Sequence, residues 1–273
     1  MFIRYSDIRL NIESVINNES AEGNVFLLHG FTGSSRDWIP VIPFLDKRFN
    51  YFLVDLVGHG RSDSPKDLIY YYIDSIINQL NEIILSLSDS KTILCGYSLG
   101  GRVALNYALN NSSNLRGLIL ESCSGGISDM SLREERIIQD EKLAAFIEAN
   151  PIEKFIDYWM NLDLFNTQRR FSSDKRSKIR ELKIENNRIG LANILRGFGT
   201  GRMEPAYNSM NKIKIKTLLI SGELDSKFTD LNNEMVKLFP NASHTNIKNA
   251  GHNTHLEEPR RFIEVVNNFL AGF

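Results

Sequence analysis

CGYSLGG, residues 95–101, places Gly96, Ser98 and Gly100 at the spacing G-x-S-x-G. That spacing belongs to a serine carried on a sharp turn between a strand and a helix, where flanking glycines let two backbones come close. The context agrees: the turn follows KTILCGY (91–97), an apolar run of strand length, and opens a segment with helical spacing. Three roles are open to Ser98. It can attack a carbonyl, move a proton without bonding to a substrate, or serve as an ordinary turn residue.

Working outward, the same kind of short, unbroken apolar run recurs in NVFLLHG (24–30), YFLVDL (51–56), LRGLILES (115–122) and IKTLLISG (215–222), with a weaker one in HTNIKNA (244–250). Runs of this type are the signature of parallel strands covered on both faces. Between them, 35–45 and 71–87 read as helices, the second with Ile73, Ile76, Ile77, Leu80, Ile83, Ile84 and Leu87 on one stripe. The first 22 residues alternate weakly, as an antiparallel hairpin does, and a last helix over 260–270 follows Pro259. The alternation predicts a doubly wound α/β fold: a mostly parallel central sheet with helices on both faces. One segment breaks the rhythm. Residues 127–208 carry helical spacing and no strand signal, so they are expected to form a helical cap inserted in a core made of 1–126 and 209–273.

Composition narrows the partners. With 32 Lys+Arg against 33 Asp+Glu the net charge is −1, so no global field draws the chain to nucleic acid or an anionic membrane. No stretch approaches the roughly 18 apolar residues a membrane span requires. The N-terminal residues are interrupted by Arg4, Asp7, Arg9 and Glu13, unlike a signal peptide. Cys95 and Cys123 each end an apolar run, which suits buried thiols in a reducing compartment and hence the cytoplasm. The expected partner is a small molecule; the oligomeric state is not legible.

In open α/β sheets catalytic groups gather at the carboxyl ends of the strands. Ser98, Asp225 and His252 all fall there, in the order Ser, Asp, His that characterises the α/β-hydrolase fold. A serine hydroxyl does not ionise unaided near neutrality, so an imidazole must take its proton and a buried carboxylate must orient that imidazole. His252 and Asp225 suit those roles, and the backbone amides of Phe31 and Leu99 suit an oxyanion hole. Alternatives stand beside this triad. Asp55, Glu121 and Asp230 could replace Asp225, of which Glu121, at the end of a strand, is the main one, and His255 lies three residues from His252. Asp55 in VDLVGHG reads as a turn residue, His29 and His59 as loop packing, and His244 as solvent-facing.

The stretches LLHGFTGSSRDW (27–38), VDLVGHGRSD (54–63), CGYSLGGRVALNYAL (95–109), SGELDSKF (221–228) and NAGHNTHLEEP (249–259) together resemble the 2-succinyl-6-hydroxy-2,4-cyclohexadiene-1-carboxylate synthase family of menaquinone biosynthesis. The first two are widespread in α/β hydrolases; GYSLGGR, DSKF and GHNTHLEEP are the specific ones. The resemblance implies a lyase that needs neither cofactor nor metal and eliminates pyruvate from a tricarboxylate substrate. Ser98, relayed through His252, then removes a ring proton and the oxyanion hole holds the enolate.

The same resemblance points to cations that grip the carboxylates. Arg102 stands one helical turn from Ser98, on the same face, where an arginine fork suits a carboxylate; its competing reading is a structural ion pair. Arg136 matches by its spacing to Asp140, with a solvated helix face as the alternative. Lys183 occupies the family's third arginine position, with Arg188 nearby, and a lysine binds as a point charge instead of a fork. Tyr97, Trp159 and Lys227 match further pocket positions. Two other functions share the pattern: an esterase or carbon–carbon bond hydrolase with Ser98 as nucleophile, and a non-catalytic binding protein of this fold.

Overall fold

A computed structural model describes all residues except Glu19. Its centre is one sheet with strand order β1-β2-β4-β3-β5-β6-β7-β8. The strands β1 (Phe2–Tyr5) and β2 (Ile8–Val15) form the antiparallel hairpin at one edge, and β2 runs antiparallel to β4 (Phe49–Val54). From β4 onward all neighbours are parallel: β3 (Gly23–Leu28), β5 (Thr92–Tyr97), β6 (Leu115–Glu121), β7 (Lys216–Gly222) and β8 (Ala242–Ile247). Every residue of β5 is buried, because a central strand with both faces covered has no solvent side on which to place polar residues.

Helices α1 (Ile73–Leu87), α2 (Leu99–Asn111), α7 (Ser226–Met235), α8 (Thr254–Glu257) and α9 (Pro259–Leu270) surround the sheet. The α1 stripe buries Ile76, Ile77, Leu80, Ile83 and Ile84 on one face of the sheet, in one cluster with Phe26, Leu94 and Val103. On the other face Trp38, Tyr51, Ile93 and Ile220 pack with Phe262 and Val266 of α9. Each fully buried aliphatic or aromatic side chain contributes on the order of 1.5–3 kcal/mol. Among the described residues no helix is long and apolar enough to cross a membrane.

The helix expected over 35–45 does not form. Two 3₁₀ turns, Ser35–Asp37 and Ile42–Phe44, stand in its place. Pro40 and Pro43 supply no amide hydrogens and their rings clash with the preceding turn. The helical spacing of the apolar residues is nevertheless used, since Trp38, Val41, Ile42 and Leu45 are all buried. Similarly α1 begins at Ile73, behind a 3₁₀ turn over Leu68–Tyr71.

Between β6 and β7 the chain forms only helices: α3 (Met130–Ala149), α4 (Ile152–Met160), α5 (Ser173–Ile184), α6 (Arg188–Phe198) and the 3₁₀ stretches Asp163–Arg170 and Tyr207–Lys212. They enclose a small core of their own, with Ala144, Ile147, Phe155, Ile156, Leu191 and Leu195, and lie over the carboxyl ends of β3 and β5, where Phe31 packs against Trp159.

Candidate active site

Ser98 sits between β5 and α2 with φ 50° and ψ −105°, a backbone state that costs a non-glycine residue about 1–3 kcal/mol. Two glycines make the turn possible. A Cβ on Gly96 would strike the backbone of Gly100, and one on Gly100 would strike the carbonyls of Leu28 and His29. The turn is pinned to both neighbouring strands: the Ser98 amide donates to Glu121 O (2.8 Å) and the Gly100 amide to His29 O (3.0 Å).

Three strand ends converge on this turn. His252 Nε2 lies 3.1 Å from Ser98 Oγ, and His252 Nδ1 lies 2.7 Å from Asp225 Oδ2. Both His252 and Asp225 are buried. A carboxylate on Nδ1 fixes the tautomer that leaves Nε2 as an acceptor for the serine proton. Asp225 is the N-cap of α7, where Phe228 N donates to its other oxygen (3.4 Å). The alternative acid and the alternative histidine are elsewhere, and paired with each other: His255 Nδ1 lies 2.7 Å from Glu121 Oε2. Asp55 accepts hydrogen bonds from Asn11, Arg61 and Ser35 in its turn, as expected. His244 differs from expectation. It is half-buried, bonded to Ser221 Oγ (2.8 Å) and Asn233 Oδ1 (2.9 Å), because α7 packs over β8 and takes its ring out of water.

A cavity of about 430 Å³ opens above Ser98. Phe31 and Leu99 line it, and among the described residues neither of their backbone amides has a hydrogen-bond partner. Arg102 reaches it from α2. Its guanidinium is buried, donates to Phe198 O (2.9 Å) and stacks 4.9 Å from the Phe198 ring, and among the described residues it has no carboxylate partner. Burial, reinforced by the neighbouring Arg136 charge and opposed by Asp140, lowers its pKa to about 10, so it stays charged near neutrality. The ion-pair reading of Arg102 therefore has no partner in the structure. Arg136 on α3 enters the same cavity, held by Asp140 at 2.8 Å, and Lys227 stands at the rim on the first turn of α7.

Lys183 is placed differently. It lines a neighbouring cavity of about 290 Å³, donating to Thr32 Oγ1 at 3.0 Å, and burial lowers its pKa. Tyr97, Trp159, Phe31 and Phe165 form the wall the two cavities share. Arg188 is spent on the carbonyls of Glu148 and Asn150 and reaches neither cavity. Cys95 and Cys123 are free and buried; burial pushes the Cys123 thiol up to about 12, which leaves it unreactive although it borders the site.

Several site residues escaped the sequence reading. Phe228 has its ring 4.5 Å from His252, next to Lys227 in a motif already noted, and Phe165 lies 6.3 Å from His252. Glu257 is buried and accepts the amides of Gly251 (2.8 Å) and Asn253 (3.3 Å), on either side of His252. Its only sequence signal is its place in HLEEP.

A family model for the alpha/beta hydrolase fold matches residues 23–259. A Bacillus subtilis protein named for 2-succinyl-6-hydroxy-2,4-cyclohexadiene-1-carboxylate synthase is 39% identical over 93% of this chain and 92% of its own. The Yersinia pestis protein of that name is 28% identical over 89% and 86%. The solved structure of MenH from S. aureus superposes with a TM-score of 0.92 at 32% identity, covering 96% of this chain and 98% of that one.

Proposed function

The chain belongs to the 2-succinyl-6-hydroxy-2,4-cyclohexadiene-1-carboxylate synthase family of α/β-hydrolase-fold enzymes, and from that premise we propose how its residues divide the work of a pyruvate-eliminating lyase of menaquinone biosynthesis. The observation that carries the reading is the unbroken line Ser98–His252–Asp225 opening into a cavity that also holds Arg102, a buried cation with no carboxylate partner among the described residues. Such a cation is costly to keep unless a ligand supplies the anion.

His252 takes the proton of Ser98 Oγ, and the serine oxygen takes the ring proton next to the succinyl ketone. The electron pair left on carbon passes into the ketone, whose oxygen is held as an enolate by the amides of Phe31 and Leu99. The enolate then collapses, the carbon–oxygen bond to the enolpyruvyl group breaks, and the departing pyruvate enolate takes up the proton held by His252 and leaves as pyruvate, returning the triad to its starting state. General-base transfer of this kind contributes about 10² to 10⁴-fold, and each oxyanion donor about 10² to 10³-fold. No bond between serine and substrate is required. Arg102 and Arg136 bind carboxylates of the tricarboxylate substrate, Lys227 adds charge at the rim, and Tyr97 and Trp159 wall the ring; Lys183 serves the portion of substrate that extends past them. Residues 127–208 act as the cap, and the enzyme works on its small-molecule substrate in the cytoplasm.

The test supplies the enolpyruvyl cyclohexene substrate and follows pyruvate release, with a nitrophenyl ester in parallel. Pyruvate without ester turnover is the expected outcome. Ester turnover alone would assign Ser98 as the nucleophile of a hydrolase, and neither activity would leave a binding protein.

A further inference from the structure

The triad accounts for Ser98, His252 and Asp225 but leaves a second buried imidazole and carboxylate, His255 and Glu121, unused. Neither side chain is exposed to solvent. Glu121 closes β6, and its carboxylate takes three hydrogen bonds: from His255 Nδ1 at 2.7 Å, from Thr254 Oγ1 at 2.6 Å and from the His255 amide at 3.0 Å. All three donors belong to the two residues that stand second and third after His252. The backbone carbonyl of the same Glu121 accepts the Ser98 amide at 2.8 Å. One residue thus holds the serine turn by its main chain and the histidine loop by its side chain. The 3.1 Å gap between Ser98 Oγ and His252 Nε2 spans the two segments it joins.

The dyad's chemistry fits a fixed support. His255 is stacked on Trp38 at 4.1 Å and meets the edge of Tyr97 at 5.1 Å, and its Nε2 has no hydrogen-bond partner among the described residues. A protonated ring would strand a buried N–H there, so the neutral tautomer with hydrogen on Nδ1 is the one that leaves no donor of the pair unmet. Burial works against ionising Glu121, while the three hydrogen bonds it accepts favour its charged form. A buried carboxylate without a cation is expensive, and a neutral glutamine could occupy the same volume. What glutamine cannot do is accept from three donors in this arrangement.

We propose that Glu121 and His255 are positioning residues for the reaction, a clamp joining the Ser98 turn to the loop of His252 and fixing the distance over which the proton passes. This rests on His252 being the base. In Glu121→Gln the amide nitrogen confronts His255 Nδ1, forces the other tautomer and loosens residues 252–255. Misplacing a catalytic group by about 1 Å costs up to about 10²-fold, so kcat for pyruvate release is expected to fall about 10- to 100-fold, with KM within about threefold of the wild type. His255→Asn, whose amide nitrogen can stand where Nδ1 stood, should keep kcat within about threefold, whereas His255→Leu should lose as much as Glu121→Gln.

The companion readout is proton NMR of the full chain. The wild type should give two strongly downfield imidazole signals, one for each histidine–carboxylate pair; in Glu121→Gln the His255 signal should vanish and the His252 signal should move. Wild-type kcat and an unmoved His252 signal in Glu121→Gln, or a rise in KM alone, would overturn the proposal. If that variant does not fold, equal rates in His255→Asn and His255→Leu would overturn it equally. Should the wild type release no pyruvate, the lyase reading fails, and the position of the His252 signal still judges the clamp.

Discussion

On the sheet side of the cavity, Ser98, Asp225 and His252 hang from the ends of β5, β7 and β8, strands locked in parallel register on both sides of β6. On the cap side, Arg136, Trp159 and Lys183 stand on α3, α4 and α5, and among the described residues, apart from the main chain of Ala206 at the junction, the hydrogen bonds between cap and core run through side chains. Asn186 bonds Thr32 O (3.0 Å) and Gly60 N (2.9 Å), Lys175 bonds Leu256 O (2.9 Å), and Arg36 pairs with Glu185 (2.8 Å). The contrast separates two demands. Proton transfer needs tenths of an ångström, which a hydrogen-bonded lattice supplies; carboxylate binding needs charge within reach, which helices resting on side chains supply well enough. Changes on the sheet side should therefore strike kcat and changes on the cap side chiefly KM.

The sharpest way to break that division is Ser98→Ala. Loss of the proton relay is expected to lower kcat by about 10² to 10⁴-fold, with pyruvate-release kinetics as the measure and an unchanged circular dichroism spectrum showing that the turn survives. Full activity in that variant would remove Ser98 from the mechanism. Next comes Arg102, which belongs to the sheet side by its helix and to the ligand by its charge. Arg102→Met should cost about 2–5 kcal/mol in kcat/KM, and because it removes a buried cation that has no carboxylate partner among the described residues it should leave the melting temperature unchanged or raised. A fall in stability together with unaltered kinetics would make Arg102 a structural residue.

Arg136 probes the cap. Its guanidinium is partly exposed, but its partner Asp140 is buried, with one oxygen lacking any hydrogen bond among the described residues. Arg136→Gln should raise KM by the worth of one charged hydrogen bond, about 1.5–3 kcal/mol, leaving kcat nearly intact. An effect confined to kcat would mean that the cap takes part in the chemistry and that the two sides are not distinct.

The same division explains what could be read from the chain. The sheet and the meeting of Ser98, Asp225 and His252 were legible because strand ends are marked by apolar runs and because a strained turn demands Gly96 and Gly100 around Ser98. The segment 35–45 was misread since its apolar spacing is helical while Pro40 and Pro43 forbid the helix. Which cavity Lys183 lines depends on how α5 docks beside Thr32, a three-dimensional fact that no spacing encodes. Glu257 and the Glu121–His255 pair were beyond reach for a related reason. Their partners are backbone amides and a residue more than a hundred positions away, and hydrogen bonds to loops leave no periodicity.

The smallest expected effect concerns stability, and it too separates the two sides. All five histidines lie in the core and none in the cap. His29 is fully buried, its Nδ1 donating to Gly30 O (2.7 Å) and its Nε2 accepting from Leu56 N (3.1 Å), so a second proton would set two N–H groups against each other. Burial lowers the pKa of His29, and burial with the neighbouring His29 lowers that of His59 further. Above the unfolded value of about 6.5 both states are neutral and stability is flat with pH; below it the unfolded chain binds protons that the folded chain refuses, so stability falls as pH falls. Between pH 7.5 and 6 the loss amounts to about 1 kcal/mol or less for each ring, measurable as a decline in the urea midpoint. The segment α3–α6 itself contains no histidine, and the pKa values of the cap carboxylates Glu148, Asp157 and Glu204 are lowered by their arginine partners, out of this window. Hydrogen exchange in the cap, corrected for intrinsic chemistry, should therefore stay level over the interval in which global unfolding becomes easier. A parallel decline in both would mean that cap and sheet open as one unit, and the separation between a rigid chemical half and a replaceable binding half would fail at its thermodynamic root.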